Sequence, residues 1–176
     1  MKRVQGSKGI ALVECINHYT NKYRVRWDIQ PYFNEEGEEQ GVSYYETEVT
    51  RKPTMNDVRH IVLKGMNQVV DDTILSEFVW NDMPVWLSTE NQFNYKAAYD
   101  LAVQSGGGTL PVTFKFGTTD NPVYYEFKTL EDLSDFYLQA MSFIHNVLAK
   151  GWRKKDNVDW GIYEKGLKDS PTIPNG

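Results

Sequence analysis

Between Val112 and Leu148 the apolar residues change their spacing once, and that change constrains the fold more than any other feature. Val112, Phe114 and Phe116 alternate with Thr113 and Lys115. Gly117-Thr-Thr-Asp-Asn-Pro122 turns the chain, and Val123-Tyr-Tyr-Glu-Phe127 returns. A period of two puts alternate side chains on one face, so the segment predicts a β-hairpin. Leu133, Phe136, Tyr137, Ala140, Ile144, Val147 and Leu148 then recur at helical spacing. That predicts a helix over 130–150, capped by Thr129, with Glu131 and Asp132 complementing its dipole and Gly151 ending it. The hairpin has one apolar face to cover, and the helix has one apolar stripe. Phe114, Phe116, Tyr125 and Phe127 are therefore expected to pack against the helix.

The same reading orders the rest of the chain. Ile10 to Ile16 reads as a strand. A turn at Thr20-Asn21-Lys22 leads to a second strand, in which Tyr23, Val25, Trp27 and Ile29 alternate with Arg24, Arg26 and Asp28. The hydrophilic stretch 34–41 reads as a hairpin tip, and Val42 to Val49 as the third strand. Lys52-Pro53-Thr54 stops the sheet. Thr54 and Asp57 resemble a helix start, and Val58, Ile61, Val62, Met66, Val69 and Val70 predict a helix over 55–70. Gly65 weakens that helix by about 1 kcal/mol relative to Ala. Phe78-Val-Trp80 and Met83-Pro-Val-Trp-Leu87 flank Asn81-Asp82, two residues that tolerate positive φ, as a tight hairpin requires. Pro84 lacks an N–H, so its strand lies at a sheet edge or pairs on one side only. Thr89 to Gln92 matches a capping box, opening a helix with Phe93, Ala97 and Leu101 on one stripe. Ser105-Gly106-Gly107-Gly108 stops it. A Walker loop would need a Gly-Lys-Ser/Thr ending with the helix after the glycines, the opposite order.

These elements predict an α+β fold: an N-terminal antiparallel meander, a linking helix, then hairpin–helix–hairpin–helix. The expected boundaries are 1–53 for the strands, 54–72 for the linking helix, 73–165 for a second domain, and a disordered tail over 166–176.

Charge and residue chemistry narrow the function. The net charge is −5, and residues 54–149 hold 5 basic against 12 acidic groups. An acidic middle repels phosphate backbones, so nucleic acid is not an expected partner. The basic run Arg153-Lys154-Lys155 suits the end of the preceding helix. Cys15 is the single cysteine, so no internal disulfide can form. His18, His60 and His145 show no metal-ligand spacing, and Cys15 with His18 falls near a strand end, where they would point to opposite faces. The glutamates of 34–41 lack the alternating ligands of a calcium loop. No nucleophile elbow, zinc-protease motif or dinucleotide fingerprint occurs. No catalytic, cofactor-binding or metal residues are therefore assigned, and no cofactor is expected. The N-terminus does not resemble a signal peptide, and no run reaches the length of a membrane helix, which predicts a soluble cytoplasmic protein without a membrane partner.

From about residue 74 to residue 160 the chain resembles a family known as domain of unknown function 4376, found in bacteriophages and in bacterial genomes that carry prophage genes, with versions in Bacteroides-type bacteria. The resemblance is carried by Phe78-Val-Trp-Asn-Asp-Met-Pro-Val-Trp-Leu-Ser88, Glu90-Asn-Gln-Phe-Asn-Tyr-Lys-Ala-Ala-Tyr99, Thr109-Leu-Pro-Val-Thr-Phe-Lys-Phe-Gly117 and Gly151-Trp-Arg-Lys-Lys-Asp156. It implies a phage or prophage setting, tail-associated or in particle assembly, and a place in the virion as an alternative to the cytoplasm. It supplies no catalytic residues.

Two functions follow as expectations. One is protein–protein contact with other phage or prophage proteins, with a homo-oligomer left open. The alternative is a carbohydrate or small-ligand binding module using exposed aromatics. The chain has 24 aromatic residues, and Trp80, Trp86 and Tyr95 are the candidate interaction surface.

Overall fold

The structure, a computed structural model, describes residues 2–170. The protein is α+β and divides into two compact units. One runs from the N-terminal residues through Gln68 and resumes at Lys154; the other is Val69–Arg153.

The first unit is built on a four-stranded antiparallel sheet of β1 (Val4–Gly6), β2 (Val13–Asn17), β3 (Lys22–Phe33) and β4 (Glu39–Val49), in the order β1-β4-β3-β2. The expected meander is β2-β3-β4. The fourth strand, β1, adds to the outer edge of β4, where Val4 faces Tyr44. With one apolar residue in three, it shows no readable period. β3 and β4 are longer than their alternation suggested, so 39–41 lie in a strand and the turn is shorter than the expected 34–41 tip. The Asn34 side-chain oxygen accepts from the Glu36 and Glu38 amides and closes that turn.

Tyr23, Val25 and Trp27 are buried as their alternation requires. Ile29 is not, because the β3–β4 register shifts between Trp27 and Gln30, and Asp28 takes a φ of 53°. This bulge turns Ile29 out of the core face. On the opposite face Arg26 is buried rather than solvated. Its guanidinium pairs with Glu14 at 2.6 Å and Glu46 at 3.1 Å and donates to the Ala11 carbonyl at 2.9 Å. Asp28 pairs with Arg3 at 2.7 Å and Lys154 at 3.1 Å. Burial works to raise its pKa, but these two cations outweigh it and hold the carboxyl below the usual range.

Helix α1 (Met55–Ser76) starts as the sequence indicated: the Asp57 amide donates to the Thr54 hydroxyl at 3.2 Å, and the Thr54 amide donates to the Asp57 carboxylate at 2.8 Å. Gly65 has a packing role there. A Cβ at Gly65 would collide with the Trp27 ring, so the glycine lets the indole lie directly on the helix. α4 (Trp160–Asp169) closes this unit, with the Tyr163 hydroxyl donating to the Arg26 carbonyl at 2.8 Å. Residues 166–169, expected to begin a disordered tail, are helical. The Asp159 side chain caps this helix by accepting from the Gly161 amide. The rest of the expected tail, from residue 171, lies outside the described residues.

The second unit contains β5 (Val79–Trp80), β6 (Met83–Pro84), α2 (Thr89–Gln104), β7 (Val112–Gly117), β8 (Pro122–Phe127) and most of α3 (Leu130–Asp156). Asn81 and Asp82 take φ of 47° and 60° in the β5–β6 turn. Phe116 pairs across the second hairpin with Val123, Phe114 with Tyr125 and Val112 with Phe127. The apolar face covers Phe136 of α3, whose ring centre lies 5.1 Å from Phe116, 5.3 Å from Phe127 and 5.0 Å from Tyr95.

Three local expectations are corrected here. The α2 cap is Ser88, whose hydroxyl accepts from the Asn91 amide, one residue before Thr89. Phe93 and Leu101 are exposed, and Tyr95 and Ala102 are the buried positions of α2. The helix rotates to bring the Tyr95 ring against Phe114 and Phe136. Gly151 does not end α3. It lies inside the helix, where any Cβ would strike Val70 of α1. The glycine run does end α2, with Gly106 and Gly107 at positive φ and the Gly107 amide donating to the Ala102 carbonyl at 2.8 Å.

Candidate functional site

The three aromatic candidates fall in different environments. Trp80 is 1% exposed; its ring packs on Phe127 and Phe136, and its indole N–H donates to Asp135 at 3.1 Å. Tyr95 is 3% exposed, and Trp86 is 53% exposed. Of the expected surface of three rings only Trp86 is exposed: Trp80 and Tyr95 are both core residues. The cause is their placement. Trp80 belongs to the inward side of β5, whereas Trp86 follows β6 next to buried Val85 and points the other way.

Trp86 and Tyr95 nevertheless border one cleft of about 710 Å³. One wall is Pro84, Val85 and Trp86. The other is β7 from Thr113 through Gly117, continuing to Thr119. The first turns of α2 supply Asn91, Asn94 and Tyr95. Residues that alternate between two faces can all border one space only where that space runs along the strand's edge. The cleft therefore lies on the edge of β7. β7 is hydrogen-bonded to β8 alone; β6 comes close beside it but does not pair with it among the described residues.

The local folding that builds the cleft follows from hydrogen bonds on its rim. The Val85 amide donates to the Phe78 carbonyl at 2.9 Å and the Leu87 amide to the Leu75 carbonyl at 3.0 Å, which fixes the backbone on either side of Trp86. Asn91 donates from Nδ2 to the Trp86 carbonyl at 2.8 Å, tying α2 to this wall. The Asn91 side chain is thereby committed to positioning.

The lining is mostly neutral. Lys115 is its one charged residue, exposed and without an ion-pair partner among the described residues. Burial pushes the Tyr95 hydroxyl up to about 12, so it stays protonated at neutral pH. Among the described residues this hydroxyl meets no donor or acceptor. Its oxygen is open to solvent at the cleft surface, where water or a ligand can meet it; the one buried side-chain polar atom without a partner among the described residues is Trp27 Nε1.

The residues considered for chemistry lie elsewhere. Cys15 is partly exposed on β2, and His18 packs its ring edge-on to Tyr19 at 4.9 Å. His60 borders a smaller hollow of about 220 Å³ with Arg51 and Asp57. Among the described residues, no group of three or more His, Cys, Asp or Glu is placed to hold a metal ion. No helix among them is long and apolar enough to cross a membrane.

The chain matches no family model, no curated protein and no solved structure. The phage-family resemblance rests on the residues that carry it alone. Of the residues the sequence singled out, Trp86 and Tyr95 line this cleft; Lys115 and the unpaired edge of β7 were not among them. The available signal was the isolation of the 112–127 hairpin: two strands with helices on both sides leave each strand an outer edge to account for.

Proposed function

We propose that the protein is a phage- or prophage-type binding protein that acts through contacts with other proteins, in tail or particle assembly, and that it does so without catalysis. The observation that carries this reading is the cleft: a half-exposed tryptophan beside amide, hydroxyl and lysine groups along a strand edge. Such a lining recognises a partner by apolar contact and hydrogen bonding, and exposed tryptophans are enriched where proteins bind each other. Phage or prophage proteins are the partners in this reading, with the cytoplasm or the virion as the setting. Nucleic acid is not a partner, because the acidic stretch 54–149 disfavours phosphate.

The test is capture of partners from an induced lysogen with the intact chain and with Trp86→Ala. Phage proteins recovered by the first and lost from the second support the reading. Recovery of none opposes it. A second reading, a carbohydrate-binding module, is favoured by one observation: Trp86 and the unpartnered Tyr95 hydroxyl share a concave surface. Binding of neutral oligosaccharides that disappears in Trp86→Ala would establish it in place of the first.

A further inference from the structure

We infer that the free edge of β7 takes an extended segment of a partner protein as an added strand, held in the Trp86 cleft and selected for a carboxylate by Lys115. This rests on the protein-contact reading above and specifies its partner surface. Three observations carry it. First, the edge is not hydrogen-bonded: β7 pairs only with β8, and β6 comes close beside it without pairing, so among the described residues the outward amides and carbonyls of Thr113 to Gly117 have no strand partner, and an added strand has to enter where the cleft opens beyond β6. An open strand edge is a template for another chain, with main-chain hydrogen bonds giving affinity and side-chain pockets giving specificity. Six residues of strand offer an edge of about 20 Å, enough for a short extended segment. Second, the edge is bordered by a built cleft. Trp86, half exposed, lines it together with Tyr95, whose hydroxyl oxygen is open to solvent and makes no hydrogen bond among the described residues. Third, the charge is one-sided. Lys115 is the one charged lining residue and is unpaired among the described residues, so a carboxylate on the entering segment would complete it.

The test uses the full chain and a displayed library of random linear peptides of about ten residues. Selected peptides are expected to carry an Asp or Glu and to lack proline across a central extended span. A synthetic copy should lose about tenfold or more in affinity to Trp86→Ala and to Lys115→Glu, both exposed positions whose variants keep the circular dichroism of the parent. N-methylation should abolish binding at every second peptide residue and be tolerated between, because an added strand turns alternate amides to its neighbour. Bound peptide should newly protect from hydrogen exchange only the alternate amides of 113–117 that face away from β8. Peptides that bind with a flat N-methyl profile, or protect another surface, overturn strand addition while leaving the protein-contact reading standing. No selected peptide, together with oligosaccharide binding that Trp86→Ala removes, overturns both. A selection yielding neither overturns strand addition.

Discussion

Single residues decide two matters that periodicity leaves open. Gly65 reads from sequence as a weak point in a helix, and its helix propensity alone would favour Ala by about 1 kcal/mol. Its contact with Trp27 reverses that, because an added methyl must push a fully buried indole. Gly65→Ala is expected to destabilise the protein by about 1–3 kcal/mol, as overpacking does. A denaturation midpoint that rises instead would show that Trp27 yields at no cost. The second matter is the start of α1. The Thr54 amide, then the Thr54 hydroxyl and the Arg51 guanidinium, hold the Asp57 carboxyl at about 2. Because folding lowers this pKa, its contribution to stability is complete above the ordinary value of 3.8 and fades as pH falls toward 2. In Thr54→Ala, which removes the hydroxyl but keeps the backbone amide, an NMR titration of the Asp57 carboxyl should show its midpoint rising only part of the way toward 3.8. An unchanged midpoint would remove the cap from the account.

At the level of elements, the hairpin of β7 and β8 and the helix it covers were legible because period and helical stripe agree. Phe116 and Phe127 are buried, and both rings meet Phe136. Phe116→Ala is expected to cost about 3–5 kcal/mol, as large-to-small core changes do. A loss below about 1 kcal/mol would place Phe116 outside the core. α2 was legible as a helix but not in its rotation. Phe93 and Leu101 are as apolar as any core residue, and nothing local to them says that the flatter Tyr95 and Ala102 face inward. That choice belongs to rings on other elements, chiefly Phe114 and Phe136. The extent of α3 was hidden for a related reason. Gly151 looks like a stop, whereas it is the point where Val70 comes too close for a side chain. β1 and the bulge at Asp28 were hidden because an edge strand and a single positive φ leave no period to read.

At the scale of the molecule, the sequence suggested a boundary after the strands, but the compact units part inside α1 and inside α3. Neither helix changes composition there, so no linker marks the division. The candidate cleft was legible only in part: of the three rings singled out, Trp86 is exposed on it, Tyr95 borders it from the core, Trp80 lies in the core away from it, and the edge of β7 depends on which strands fail to pair. The central claim is that this cleft is where the protein works. Side-by-side capture from an induced host with the parent chain and Trp86→Ala, each at the same Tm, tests it most directly. Trp86 is half exposed, so the variant is expected to fold as the parent does. The account predicts phage proteins enriched by the parent and reduced about tenfold or more by the variant. Equal recovery by both, at equal stability, would contradict it.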